Sequence, residues 1–281
     1  MSGGVRWLGD HQCHHDAVVG GKAASLSRLA ALHKVPHGFA VPAIPAAHAP
    51  ELGEMADAIV QAYALLGERC GASHPAVAVR SSALDEDGLD ASFAGQHDTY
   101  LNIRGTDAVL DAVQRCVRSA VSPGALAYRA ERGLRTDDVR IAVLIQQLVV
   151  SEVSAVVFSA NPVTGSRDEV MINANWGLGE SIVGGSVTPD MFVVEKAGFG
   201  VTGREIACKE RMTVRTEDGT TEVDTPDDLR SAPTLDDEGI RAMAALAVKL
   251  EDAVGHAVDI ECAMAESTLY LLQCRPITTL G

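Results

Sequence analysis

The sequence predicts an α+β fold, mixed α/β in its order of elements, and three observations predict it. Helical and strand periodicities alternate along the 281 residues without an internal repeat. The chain from Asp237 onward reads as one amphipathic helix followed by two strands around a polar turn, which is an antiparallel hairpin and not a crossover. Hydrophobic residues make up 47%, enough to bury a core, yet no run reaches the roughly 18 apolar residues of a membrane span.

Each element follows from its local pattern. From about Gly21 to Leu32 the spacing predicts a helix with Leu26, Leu29 and Leu32 on one side. Lys34–Val41 reads as broken chain, because Pro36, Gly38 and Pro42 punctuate it. Residues 51–70 suggest a short helix, and Ala76–Val79 a buried strand ending at Arg80. Residues 107–120 carry a helical stripe of Val109, Leu110, Val113, Cys116 and Val117. Strands are expected at Ile141–Val150, Ala155–Phe158 and Glu169–Asn173, between turns at Asn161-Pro162 and Gly177-Leu178-Gly179. Residues 200–232 are polar, acidic and irregular. Asp237–Val254 is an amphipathic helix with Ile240, Met243, Ala247, Leu250 and Val254 in phase. Strands His256–Met264 and Leu269–Arg275 close the chain. The charged stretch at 135–140 suggests a division into segments 1–138 and 139–281.

Charge and composition exclude several classes. With 23 basic and 38 acidic residues the net charge is −15, which disfavours general nucleic-acid binding. A polyanionic ligand would need a local basic pocket and a divalent cation. Aromatic residues at 4% do not make a base-stacking platform. The six cysteines form no C-x-x-C pair, which points to a reduced, cytoplasmic protein without a disulfide framework or zinc site. The N-terminal MSGGVRWLGDHQCHHD lacks the apolar core of a secretory signal, and no membrane association is expected.

Four constellations could carry chemistry. Gly20-Gly21-Lys22 opens a helix, where free N–H groups and a lysine suit an anion; a glycine turn with an exposed lysine is the plainer alternative. Arg80 leaves the end of a buried strand and could fork onto phosphate, with the segment Ser92–His97 as a flap; a capped turn with a surface arginine is the alternative. In Val258-Asp259-Ile260-Glu261-Cys262, alternation puts Asp259 and Glu261 on one face, and in the next strand Gln273 and Arg275 share a face. Carboxylate and carboxamide oxygens there suit Mg²⁺, with Arg275 on the phosphate that the metal bridges; a solvated sheet face is the alternative. Asn175-Trp176-Gly177-Leu178-Gly179-Glu180 and Gly184-Gly185 let backbone approach a ligand. His14-His15-Asp16 reads as a surface cluster, and no Ser/His/Asp or Cys/His arrangement is legible.

Together these segments resemble one family, the N-terminal ATP-binding domain shared by phosphoenolpyruvate synthase, pyruvate phosphate dikinase and rifampin phosphotransferase. The resemblance rests on VGGKAASLSRL, VPHGFAV, VAVRSSALDEDGLDASFAGQHDTYLNI, IQQLV, FSANPVTG, INANWGLGESIVGG with VTPD, and DIECAM with LQCRPITTL, in the family's order over nearly the whole chain. It implies an ATP-grasp fold, two lobes closing on ATP and Mg²⁺. Lys22 and Arg80 match the family's phosphate-binding lysine and arginine. Glu261 and Gln273 match its metal and phosphate site, Asp259 and Arg275 their neighbours, and Gln147-Leu148-Val149 the segment that meets adenine. Lys22, Arg80 and Arg275 are thereby the expected catalytic residues.

The implied reaction splits ATP to AMP and passes the β-phosphate to a histidine on a swivelling domain. No glycine-rich TGG…SH segment of the phosphohistidine type occurs here, so the expected partner is a domain or protein carrying that histidine. A kinase acting directly on a small molecule and a non-catalytic nucleotide-binding module are the alternatives. Two departures stand out: Val41–Val77 is shorter than usual for the family, and Gly124 stands where an arginine often precedes the A-x-x-Y-R read here as Ala125–Arg129. The hairpin carries its own expectation. For Glu261 to lie opposite Gln273 the paired numbers must sum to 534, which calls for a three-residue turn between Ala265 and Leu269.

Overall fold

The computed structural model describes residues 4–46, 52–84, 99–131 and 133–277. The chain divides into two compact units, Met1–Leu148 and Val149–Gly281. The boundary lies beyond the charged stretch that suggested a division near residue 138, because the strand after that stretch is central to the first sheet.

That sheet contains β1 (Arg6–Trp7), β2 (Gly38–Pro45), β3 (Val77–Ala83), β4 (Thr99–Ile103) and β5 (Arg140–Gln147), in the order β1-β2-β5-β3-β4. Every pairing is antiparallel. Its helices are α1 (Asp16–Leu29), α2 (Glu54–Cys70), α3 (Thr106–Ser119) and α4 (Pro123–Glu131). Phe39, Val41, Val77, Val79, Val143 and Ile145 form a buried cluster with the inner residues of α2 and α3. By strand alternation Ala78, Arg80 and Ser82 point to the other face, where α1 packs on β2, β3 and β5. The α3 stripe is buried at Val109, Val113, Cys116 and Val117, as its spacing predicts. The Tyr63 hydroxyl ties this layer together, donating to Pro75 O at 2.8 Å and accepting from Gly105 N at 2.9 Å.

Two expectations are corrected here. The α1 helix ends at Leu29, and Leu32 is 78% exposed, so the leucine spacing overran the buried stripe by one turn. The punctuated stretch before Val41 becomes β2. It tolerates proline because its register with β5 shifts by one residue between Val41 and Ile44, and β1 pairs only with Phe39 and Ala40. Pro42 therefore sits at a bulge where no outer strand needs its N–H.

The second unit has a six-stranded sheet in the order β13-β12-β6-β7-β8-β9. Its strands are β6 (Val153–Phe158), β7 (Glu169–Trp176), β8 (Asp190–Glu195), β9 (Val201–Glu205), β12 (Val258–Ala265) and β13 (Thr268–Pro276). All neighbours are antiparallel. The irregular acidic stretch contains a separate hairpin, β10 (Arg211–Arg215) with β11 (Thr220–Asp224), followed by the single turn α6 (Asp227–Arg230). The short α5 (Glu180–Val183) follows the glycine loop, and α7 (Asp237–Val254) is the long helix.

Helix α7 is bounded as its sequence implies. Asp236 caps it by accepting from Gly239 N at 2.8 Å, and Gly255 ends it at φ 80°. Its buried Ile240, Met243, Ala247 and Leu250 face strands β6, β7, β8 and β12. Ile240, Met243 and Leu250 each contribute about 1.5–3 kcal/mol by leaving water. Ile260, Val157, Ile172 and Phe192, aligned across the strands, are fully buried on that face. No helix among the described residues is long and apolar enough to cross a membrane.

Candidate functional site

In the first unit the glycine pair shapes a break in α1. Gly20 has φ 76° and ψ 162°, so the helix stops and restarts at Gly21. A Cβ on Gly20 would lie 2.1 Å from Ser82 O, so only glycine lets α1 press this closely on β3. The restarted helix places Ala23 N on the Ser82 hydroxyl at 3.2 Å and Lys22 Nζ on Ser81 O at 3.1 Å. Lys22 and Arg80 are only 7% and 9% exposed. Burial of a lysine and an arginine on one face of one sheet is unusual for surface charges. The exposed-lysine and surface-arginine alternatives are therefore both set aside. The expected flap, Ser92–His97, lies outside the described residues.

The segment expected to meet adenine straddles the unit boundary. Gln147 N donates to His37 O at 2.8 Å and Leu148 N to Ala76 O at 2.9 Å, so both belong to the first unit. Val149 opens the second.

In the second unit the hairpin register brings the expected residues together. Glu261 pairs with Gln273 and Asp259 with Arg275, and both sums are 534. The turn differs from expectation. Ala265 pairs with Thr268, so the turn has two residues, Glu266 and Ser267, at φ 48° and 60°. That register alone would set Glu261 opposite Leu272. A bulge between Glu261 and Cys262 leaves Leu272 as an extra residue on β13, and the shift restores the Glu261–Gln273 pair.

Arg275 places both Nε and Nη2 at 2.7 Å from Asp259 Oδ2. Burial pushes the Asp259 carboxyl above the usual carboxylate range, and the Arg275 guanidinium pulls only partly against it. Among the described residues no group of three or more His, Cys, Asp or Glu could hold a metal ion. Glu261 and Gln273, directly opposite on one face, offer two oxygen donors. That set fits Mg²⁺, which takes few protein ligands and fills its shell with water and phosphate oxygens. It would not fit a cation needing an all-protein cage.

The glycine loop after β7 is built against the β10–β11 hairpin. Gly177 has φ 75°, and a Cβ there would meet Thr213 O at 2.2 Å. The Gly177 carbonyl accepts from the Ser151 and Ser154 hydroxyls at 2.9 and 2.8 Å. The glycine thus serves close backbone packing. The three rings of His11, His14 and His15 cluster, with centroids 5.5 Å from His11, and the six cysteines are free thiols.

Sequence reasoning missed one buried pair. Lys209 Nζ lies 2.7 Å from Asp190 Oδ1, and both side chains are fully buried. Asp190 also accepts from Ala207 N, Thr234 N and Thr234 Oγ1. Asp190 read only as the end of VTPD and Lys209 as one charge in an acidic stretch. No local pattern links them.

The comparisons with known proteins give the family. The pyruvate phosphate dikinase AMP/ATP-binding domain matches residues 42–281, which include Arg80 and the hairpin but not Lys22. A probable phosphoenolpyruvate synthase of Methanocaldococcus jannaschii is 44% identical over 224 residues, 79% of this chain and 19% of that protein. The phosphoenolpyruvate synthase of Pyrococcus furiosus is 44% identical over 236 residues, 81% of this chain and 29% of that protein. The prodigiosin synthesizing transferase PigC of Serratia marcescens is 41% identical over 204 residues, 72% of this chain and 23% of that protein. The chain thus spans about a fifth to a third of the length of these relatives. A solved D-alanyl-alanine synthetase A from Vibrio cholerae is similar over 86% of this chain and 50% of that chain, at 11% identity and a TM-score of 0.32, a likeness too weak to add to the fold described above. With the match running from β2 through the closing hairpin, the chain belongs to the pyruvate phosphate dikinase AMP/ATP-binding domain family.

Proposed function

We propose that this chain is the ATP-binding part of an AMP-forming phosphotransferase, holding ATP with Mg²⁺ and serving a histidine on a separate domain or partner protein. The observation that carries the reading is the register of β12 and β13, which sets Glu261 against Gln273 and Asp259 against Arg275 on one sheet face.

Phosphoryl transfer needs little covalent help from the protein. It needs the phosphates positioned and their charge balanced. When bound, Mg²⁺ supplies that charge balance between phosphate oxygens, and Glu261 and Gln273 would hold it. Asp259 fixes the Arg275 guanidinium through Nε and Nη2, and the guanidinium held in this way would meet a phosphate oxygen. Lys22 and Arg80, buried together against the first sheet, are the first unit's phosphate-binding residues in this reading. Lys22 supplies a point charge, and Arg80 supplies a planar fork. Gln147, Leu148 and Val149 meet the adenine.

The test is the identity of the nucleotide products. Pure chain is incubated with ATP and Mg²⁺, alone and with a protein carrying the histidine domain. Binding with slow leakage to water is expected alone; AMP and a labelled histidine on the partner are expected together. Rapid AMP formation with a small molecule and no partner would favour the direct kinase, and a stable phosphohistidine on this chain would reject the proposal.

A further inference from the structure

The register of the second sheet carries a row of residues beyond the hairpin. Glu261 pairs with Gln273 on one side and Val156 on the other; Val156 pairs with Asn173, and Asn173 with Met191. Residues directly opposite in antiparallel strands share a face. The row Gln273, Glu261, Val156, Asn173, Met191 therefore crosses the face away from α7, whose own row is Ile260, Val157, Ile172 and Phe192.

Asn173 differs from the other asparagine of its strand on that face. Asn175 is fully buried, and its amide is spent on Ser181 Oγ and Arg211 O, both at 3.1 Å. Asn173 is half-buried between Val156 and Met191, and no hydrogen bond of its carboxamide occurs among the described residues. Its neighbours in the row are apolar, so neither supplies a partner. Flanked by two apolar side chains, the carboxamide is left to bond with solvent or with a ligand laid on this face.

The spacing selects the ligand group. Strands lie about 4.8 Å apart, so Asn173 stands roughly 10 Å from Glu261, with only the short Val156 between. A cation held by Glu261 has phosphate oxygens about 2.1 Å beyond it, and an amide donor sits about 2.9 Å further on. Those lengths, with the reach of the two side chains, close the gap. We propose that Asn173 is a further nucleotide-binding residue, its Nδ2 donating to an oxygen of the triphosphate held by Glu261 and Gln273. This rests on the nucleotide reading above and adds a residue to it.

The experiment measures equilibrium binding of Mg·ATP and of adenosine to the full chain, as wild type, Glu261→Gln, Asn173→Ala and Asn173→Asp, with thermal unfolding of each. Asn173→Asp keeps the shape and places a negative charge against phosphate. Asn173→Ala is expected to weaken Mg·ATP at least about tenfold, the loss of one hydrogen bond to a charged group. Asn173→Asp is expected to weaken it further. Adenosine affinity should hold within about twofold in both. Wild-type affinity for Mg·ATP in both Asn173 variants, with Glu261→Gln impaired, overturns this proposal alone. Equal loss of adenosine and Mg·ATP overturns it too, because the residue would then act through the fold. A wild-type chain that does not bind Mg·ATP overturns both readings.

Discussion

Glu261 is the residue on which the metal assignment turns. Glu261→Gln keeps the shape and removes the charge that would hold Mg²⁺. Nucleotide turnover is expected to fall at least about 10²-fold with the unfolding temperature nearly unchanged, measured with the histidine-bearing partner present. A rate near wild type would refute the role. Arg80 offers a second test of geometry against charge. It is 9% exposed in the middle of β3, which runs on to Ala83 and does not end at Arg80 as the sequence suggests, and its planar fork cannot be copied by a lysine. Arg80→Lys is expected to lower both ATP affinity and turnover; if calorimetry and kinetics find both intact, Arg80 holds the sheet and not the phosphate. Gly20 is a packing requirement of another kind. Gly20→Ala would drive a Cβ into the Ser82 carbonyl and hold alanine at φ 76°. A loss of about 2–4 kcal/mol is expected in denaturant unfolding, together with weaker ATP binding, because Lys22 sits two residues on.

Elements are held in place by features smaller than themselves. The β12–β13 hairpin keeps the Glu261–Gln273 pair only because one extra residue at Leu272 offsets its two-residue turn. Glu266 and Ser267 both occupy the left-handed region, which asparagine and glycine enter at lower cost. The double substitution Glu266→Asn, Ser267→Gly is expected to stabilise the chain by about 0.5–1 kcal/mol in chemical unfolding while ATP affinity stays as in wild type. A loss of ATP affinity would show that the turn, and not the bulge, fixes the register. The β10–β11 hairpin has a similar dependence on Gly177, whose missing side chain admits Thr213 O.

Across the second unit the Asp190–Lys209 pair joins β8, the segment before β10 and the entry to α7. Asp190 takes four donors from Lys209, Ala207 and Thr234. Asp190→Ala would leave Lys209 as a buried, uncompensated charge, at a cost of about 3–5 kcal/mol. Replacing both, as Asp190→Leu with Lys209→Met, should restore much of that loss. A double cycle by thermal unfolding measures it, and a double variant as unstable as Asp190→Ala would mean that Thr234 and Ala207 carry the clamp instead.

The sequence by itself determined the mixed α+β class, the buried stripes of α3 and α7, and the faces of Asp259, Glu261, Gln273 and Arg275. These rest on periodicities of 3.6 and 2 within single segments, which the backbone enforces locally. It also determined the family, because short motifs in a fixed order survive where each alone is weak. Tertiary structure decided the rest. The bulge at Leu272, the strand made by a proline-punctuated segment, the close approach of Gly20 to Ser82 and the pairing of Asp190 with Lys209 all depend on residues distant in sequence. Their free energies arise only once the strands are side by side: a backbone carbonyl 2.1 Å from an absent Cβ, or a carboxylate 2.7 Å from an ammonium with no water between. No local pattern encodes a distance between residues 62 positions apart.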